Sequence, residues 1–262
     1  MKLSEVIQFL DSEFHPEYQE DYDNSGFLLG DPERECSGVL VALDLTPSVI
    51  DEAMACGANL IVTHHPFIFG GVKRITPATA TGRAIMTLIK NDLAAYAAHT
   101  NLDNLPNGIN GILSFQLGLT DCRILRPLGA ASSPDIGAGM VGQLPYPLPT
   151  TAFLEQVKAT LGLPLLRVSD IASPAVSRVA ICGGSGSFLI DDAIRAGADI
   201  YLTGDLKYHD FQRAEGRITL ADIGHYESEQ FGIGLIYSVI SKKFSNFACF
   251  ISGQGKSFVN YM

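Results

Sequence analysis

The run Ile50-Asp51-Glu52-Ala53-Met54-Ala55-Cys56-Gly57-Ala58-Asn59-Leu60-Ile61-Val62-Thr63-His64-His65-Pro66 reads as a helix, a stop, a strand and a pair of imidazoles. Gly57 suits the left-handed residue that closes a helix. Leu60 to Thr63 is a short β-branched apolar run, and Pro66 prevents it from continuing in a central sheet position. On a regular strand, neighbouring side chains face opposite ways, so His64 and His65 reach one site only where the strand has broken. Pro66 supplies that break. Taken alone, the pair also fits one core histidine bonded to a carbonyl and one solvated histidine. The rest of the chain decides for ligands.

Working outward, residues 38–43 form the preceding strand, and Thr46-Pro47 comes next as an N-cap with proline at the first helical position. Asp51 and Glu52 are expected to place negative charge in the first turn of that helix, where its dipole favours it. Further upstream, residues 3–10 read as a helix with Ser4 as N-cap and Val6, Ile7, Phe9 and Leu10 as its apolar side. Asp23-Asn24-Ser25-Gly26-Phe27-Leu28-Leu29-Gly30 is turn chemistry leading into a short strand.

The opening unit occurs twice. Ile50 to Thr63 aligns without a gap with Ile190-Asp191-Asp192-Ala193-Ile194-Arg195-Ala196-Gly197-Ala198-Asp199-Ile200-Tyr201-Leu202-Thr203. The identities fall at an acidic position, the terminating Gly-Ala and the strand-ending threonine, so the likeness tracks architecture and implies an internal duplication. The copies then diverge: the first runs into His64-His65, the second into Gly204-Asp205. After a further helix, each leads to a strand ending in a histidine with a carboxylate four residues on. These are Leu93–Ala98 with His99 and Asp103, and Ile218–Ile223 with His225 and Glu229.

The implied fold class is α/β, with two related lobes and the site at the carboxyl ends of strands between them. The expected division is residues 1–126 with 222–262 as the metal-site lobe, and 127–221 as the second lobe. Pro127 to Thr150, rich in glycine, proline and serine, reads as the crossing between lobes. Phe153 to Leu161 reads as an amphipathic helix, Phe231 to Phe244 as a final helix and Phe247 to Ile251 as a closing strand.

The chain has 262 residues, 47% hydrophobic and 18% charged, which is the composition of a folded protein. Its formal charge of -10 disfavours nucleic-acid binding through phosphates. Cys36, Cys56, Cys122, Cys182 and Cys249 are odd in number and lack any Cys-x-x-Cys pair, so reduced thiols in a cytoplasmic protein are expected. No signal peptide or stretch long enough to span a membrane is evident.

Imidazole and carboxylate without thiolate suit zinc, iron, manganese or nickel more than a closed structural zinc site. His225 and Glu229, four apart at the start of a helix, would share a face. Gly183-Gly184-Ser185-Gly186-Ser187 admits two readings, a tight turn or a phosphate cradle lacking the P-loop lysine.

These motifs in this order resemble the NIF-three-like dinuclear metal-centre proteins, known also as GTP cyclohydrolase 1 type 2 homologs. The resemblance runs over nearly the whole chain. It is carried by Asp23-Asn24 with Gly26, Thr63-His64-His65-Pro66, His99-Thr100-Asn101-Leu102-Asp103, the Cys182 to Ser187 turn, Thr203-Gly204-Asp205 with His209, and Gly224-His225 to Ser228-Glu229. Tyr22 stands where many members carry tryptophan, and Pro127 to Thr150 is too short for the mid-chain domain of longer members.

The resemblance implies two divalent metal ions per subunit, held by His64, His65, Asp103, His225 and Glu229, with the two carboxylates as bridges. His99 and His209 are implied as groups facing substrate that could move protons. A ring-shaped homohexamer, built as a trimer of dimers, is implied as well. The activity expected is metal-dependent hydrolysis, with a nucleotide as candidate substrate. Water activated as metal-bound hydroxide would open the guanine ring of GTP with loss of formate. The rival reading is a non-catalytic, metal-binding or regulatory hexamer that binds a partner.

Overall fold

The computed structural model describes residues 1–129 and 133–262. The chain forms two compact units, Met1–Leu102 with Gly232–Lys256, and Asp103–Phe231 with Ser257–Met262.

In chain order, the first unit opens with helix α1 (Leu3–Phe14), β1 (Gly26–Leu29), β2 (Val39–Ala42), α2 (Pro47–Cys56), β3 (Leu60–Thr63), α3 (Ala80–Lys90) and β4 (Ala94–Ala97). A short α4 (Thr100–Asp103) carries the chain onward. The second unit contains α5 (Ile109–Gln116), β5 (Thr120–Pro127), β6 (Gly137–Pro149), α6 (Thr150–Leu161), β7 (Arg167–Val168), β8 (Ala175–Ser185), α7 (Ile190–Arg195), β9 (Ile200–Gly204), α8 (Tyr208–Gln212), β10 (Thr219–Asp222) and α9 (His225–Glu229). Helix α10 (Phe231–Lys243) and β11 (Cys249–Ile251) complete the first unit.

The sheet of the first unit has the order β1-β4-β3-β2-β11. The four strands from β4 to β11 run parallel and β1 closes one edge antiparallel. Every residue of β2, β3 and β4 is buried, as expected of parallel strands covered on both faces. Leu40, Ala42, Ile61 and Ala95 pack there against Val49, Ile50 and Ala53 of α2 and Leu88 of α3.

The six-stranded sheet of the second unit has the order β5-β6-β8-β9-β10-β7, with β8, β9 and β10 parallel. Its two faces carry separate cores, because successive strand residues point opposite ways. Val179, Ile181, Ile200 and Leu202 pack with Phe153, Val157 and Leu161 of α6. Ala180 and Tyr201 pack on the other face with Leu189, Ile190 and Ala193. The architecture is α/β, as expected.

Several local expectations hold for the reasons given. Thr46 accepts the Val49 amide and Pro47 occupies the first turn of α2, while Gly57 ends that helix at φ 76. Others need correction. Helix α1 begins at Leu3 with Lys2 as its N-cap and runs on to Phe14, so Ser4 lies inside it. The acceptor for the Lys2 amide is Glu5 Oε1 at 2.7 Å, so a carboxylate within the helix does the capping. Asp51 and Glu52 lie beyond the first turn of α2, which holds no acidic residue. Glu52 instead binds the far end of the chain, accepting from the Ser252 hydroxyl and the Gly253 amide.

The largest correction concerns Pro127 to Thr150. Most of this stretch is β6, which pairs antiparallel with both β5 and β8. Its glycines are tolerated because the sheet closes tightly over them: a Cβ on Gly142 would lie 2.7 Å from Cys122 Sγ. Residues 130–132 of the stretch fall outside the described residues. The chain passes from the first unit to the second at Leu102–Asp103 and back at Phe231–Gly232. Among the described residues no helix is long and apolar enough to cross a membrane. All five cysteines are unpaired thiols.

Candidate metal centre

In the first unit, three histidines meet beyond the carboxyl ends of β3 and β4. Thr63 curls the chain at the strand end by donating its hydroxyl to the His65 carbonyl at 2.8 Å. The two neighbouring rings therefore share one side, with centroids 5.0 Å apart. His99, just past β4, adds a third ring 5.2 Å from His64 and 5.5 Å from His65. One nitrogen of each lies within 4.8 Å of the others.

Each imidazole is oriented from behind. His64 Nδ1–H donates to the Ala98 carbonyl at 2.7 Å, and because a carbonyl only accepts, that contact fixes the tautomer. His65 Nδ1 is held by Asp44 Oδ1 at 2.8 Å, and His99 Nδ1 by Asp23 Oδ1 at 2.8 Å. All three thus direct Nδ1 to an oxygen, the arrangement in which a carboxylate or carbonyl behind a histidine sets its tautomer and raises its basicity.

Asp23 is itself tightly held. Its side chain is wholly buried, and it accepts from His99, the Asn24 amide, the Ser25 hydroxyl and both the amide and hydroxyl of Thr100. Burial pushes its pKa up, but the hydrogen bonds and charge of His99, with Thr100 and Asn24, outweigh it and hold the carboxyl well below the usual carboxylate range.

The second unit gathers carboxylates. Gly224 precedes α9 at φ 74, where a Cβ would lie 2.2 Å from Glu227 Oε2. Helix α9 then places His225 and Glu229 one turn apart, with Nε2 and Oε2 at 3.0 Å. Asp205, in the left-handed region at φ 57 just after β9, holds His225 Nδ1 at 2.7 Å. Asp103 offers a carboxylate oxygen within 4.8 Å of one from Glu229. Glu229 is 2% exposed, so its charge calls for a cationic or hydrogen-bonding neighbour. Nearby, burial and then the charges of Asp103 and Glu229 push the Cys182 thiol well up, which makes it inert.

The glycines at the end of β8 explain how Glu229 is seated. Gly184 has φ 61, and a Cβ there would lie 2.1 Å from Glu229 Oε1. The amides that a phosphate would need are already used: Gly183 donates to Asn110 Oδ1, Gly184 to Ser228 Oγ and Gly186 to Thr203 Oγ1. Neither sequence reading holds as stated: Gly183 to Ser185 are the end of strand β8, whose register against β9 shifts between Ile181 and Ser185.

The first unit thus brings together His64, His65 and His99, and the second brings together Asp103, His225 and Glu229. His209 is not part of either group: it lies exposed on α8, with Nδ1 against Gln212 Oε1 at 3.0 Å. The sequence reading missed Asp44 and did not assign Asp205 a role. One signal was available for both, since each is a carboxylate placed immediately beyond a parallel strand, where side chains converge. The donor sets fit a divalent cation by their chemistry, imidazoles in one unit and carboxylate oxygens with imidazole in the other.

Fold and donors define an α/β protein with a candidate imidazole-carboxylate metal centre. The chain belongs to the Duf34/NIF3 (NGG1p interacting factor 3) family, whose model matches residues 1–256. It is 37% identical over 232 residues to the GTP cyclohydrolase 1 type 2 homolog of Clostridium perfringens (strain 13 / Type A), spanning 87% of each chain. Among solved structures it is similar to Staphylococcus aureus protein SA1388, with a TM-score of 0.90, 29% identity and coverage of 100% of this chain and 99% of that one. Reduced HcgD from Methanocaldococcus jannaschii is also similar, with a TM-score of 0.80, 28% identity and coverage of 96% and 97%.

Proposed function

We propose that this protein is a hydrolase dependent on two divalent metal ions, with His64, His65, Asp103, His225 and Glu229 as the ligands. The observation that carries the reading is the bracing of the donors. His64, His65, His99 and His225 each have Nδ1 held by an oxygen at 2.7 to 2.8 Å, which commits Nε2 to ligation or proton exchange. Partly exposed His15 and exposed His209 also have Nδ1 against an oxygen, at 3.0 Å, so the bracing supports the reading together with the clustering of His64, His65 and His99, one nitrogen of each within 4.8 Å of the others. Bound divalent cations supply Lewis acidity and lower the pKa of water, so hydrolysis becomes accessible near neutral pH.

The chain's own residues supply the rest. Asp103 and Glu229 provide negative charge to balance the cations, and Asp44 and Asp205 fix the rings of His65 and His225. His99 is the candidate to accept and return a proton at Nε2, with Asp23 stabilising the imidazolium so formed. The name shared by the curated relatives supplies the substrate to test, GTP, whose guanine ring would add one water at C8 and open to a formamide, from which a second water would release formate and leave the amine. A homohexameric assembly belongs to the same proposal and is read by light scattering.

The deciding experiment pairs metal content, by mass spectrometry on protein purified without chelator, with formate release from GTP by the same sample. Two metals per chain and formate release that disappears in Glu229→Ala are the expected results. Metal without release from GTP would remove the cyclohydrolase assignment, and no metal after loading would remove the centre.

A further inference from the structure

A cavity of about 560 Å³ opens on the first unit beside the three histidines. Leu29, Ile68, Val72, Ile75, Ile85 and Ile89 form apolar walls, and Asp23 and Asn24 also line it. No lysine or arginine is among its lining residues. The cavity touches the candidate centre through two of its residues. Asp23 braces His99, and Phe69 meets the His99 ring edge-on, with centroids 6.0 Å apart and planes at 76°.

The aromatic groups here are exposed where apolar burial would favour covering them. Phe69 is 52% exposed and Tyr22 is 59% exposed, and the two rings lean on each other at 6.2 Å. Val72, Ile75 and Ile89 are exposed along the same cavity. Next to Phe69, Gly70 and Gly71 are exposed, and a Cβ at either would meet nothing within 4 Å. Exposed rings beside apolar walls, with no side chain at Gly70 or Gly71 to fill the space, suit a flat molecule with apolar faces. Lys73 and Arg74 are exposed between Val72 and Ile75 but are not among the lining residues, so a phosphate would find its cations outside the cavity and not in its walls. Asp23 is fully committed to its neighbours and serves as a brace, not as a receptor for a cationic ligand.

We infer that this cavity binds the planar, uncharged heteroaromatic part of the substrate, with Phe69 as the ring platform, buttressed by Tyr22 from outside the lining, and with His99 behind Phe69 at the reacting end. The role of His99 rests on the hydrolase reading above; the ring site itself does not. Phosphates of a nucleotide substrate would lie outside this cavity.

Calorimetric titration of the purified full chain with guanosine and with uridine, using inorganic triphosphate as competitor, tests this directly. Saturable binding of a nucleoside is expected, undiminished by triphosphate and weakened about tenfold or more in Phe69→Ala, with Phe69→Tyr close to the parent. Phe69 is half exposed, so the folded state of the alanine variant can be verified by circular dichroism, and Ile75→Ala offers a second perturbation of the same wall. The inference is overturned if neither nucleoside binds, or if binding survives Phe69→Ala unchanged. It is also overturned if Phe69→Ala lowers the oligomeric mass while nucleosides fail to bind, which would assign the groove to a second copy of the chain. Because the readout is binding, the two proposals fail separately. Nucleoside bound without metal breaks the hydrolase reading alone, and metal bound without nucleoside breaks only the ring site.

Discussion

The two copies of the helix-turn-strand unit share a skeleton and differ in the pair of residues just beyond it. Gly57 and Gly197 both turn left-handed, at φ 76 and 68, and the amides of Ala58 and Ala198 return to Ala53 and Ala193. Asn59 and Asp199 then use their side-chain oxygens alike, accepting from Ser37 in one case and from Ser177 and Arg178 in the other. Beyond the threonine the copies part. In the first, the chain presents His64 and His65 themselves. In the second, the position aligned with His65 is Asp205, which braces His225 from the next strand. The same strand end thus supplies a donor in one unit and a donor's support in the other. The turn chemistry is alike in the two units because both need the same helix stop before a buried strand, while the two residues past the strand differ in role.

Substitutions at matched positions test that contrast. The largest effect is expected at Gly184, where a methyl group would lie 2.1 Å from Glu229 Oε1 at φ 61. Gly184→Ala combines overpacking with a left-handed penalty and should cost about 4 kcal/mol in urea unfolding. Next come the braces. Asp205→Ala and Asp44→Ala should each weaken metal binding about 10- to 100-fold by chelator competition, with the fold retained. Equal metal affinity in parent and Asp205→Ala would show that the second copy lacks the supporting role.

The strand-ending threonines should differ in the same sense. Thr203→Val strips the acceptor from the buried Gly186 amide and should cost about 2 kcal/mol, whereas Thr63→Val removes the donor to the His65 carbonyl and should cost about 1 kcal/mol. Asp23 gives a pH signature specific to the first unit. Because folding lowers its pKa, its stabilisation is complete above the unfolded value of about 4 and is lost as pH falls through the lower folded value. Asp23→Asn should therefore reduce stability by about 2 kcal/mol at neutral pH and flatten the acid limb of the stability curve. The smallest effect belongs to the helix stops: Gly57→Ala, with open space around its Cβ, should cost about 1 kcal/mol, and Gly197→Ala about the same.

Much of the fold was legible because its signals are local. Thr46-Pro47 and Gly57 bound α2 as read, and the apolar run at 60–63 is β3. The spacing of Phe153, Leu154, Val157 and Leu161 matches the buried face of α6. Failures arose where distant chain competes with local pattern. Glu52 has the look of a dipole-favoured helix charge, yet it binds Ser252 and Gly253, which no local window contains. Gly137 to Pro149 has loop composition but becomes β6 because β5 and β8 offer backbone partners on both sides. Pairing of that kind overrides strand propensity.

For the candidate site, the sequence by itself determined the inventory: imidazoles and carboxylates immediately past apolar strands, without thiolates, in a twice-used framework. That much is residue type and spacing, which the chain carries without folding. Tertiary structure alone decided how each donor is aimed. His99 needs Asp23 from 76 residues away and His65 needs Asp44 from 21, and Glu229 fits only because Gly184 lacks a side chain. Orientation depends on which oxygen lies behind each ring, and that is fixed when sheet neighbours bring separated strand ends side by side.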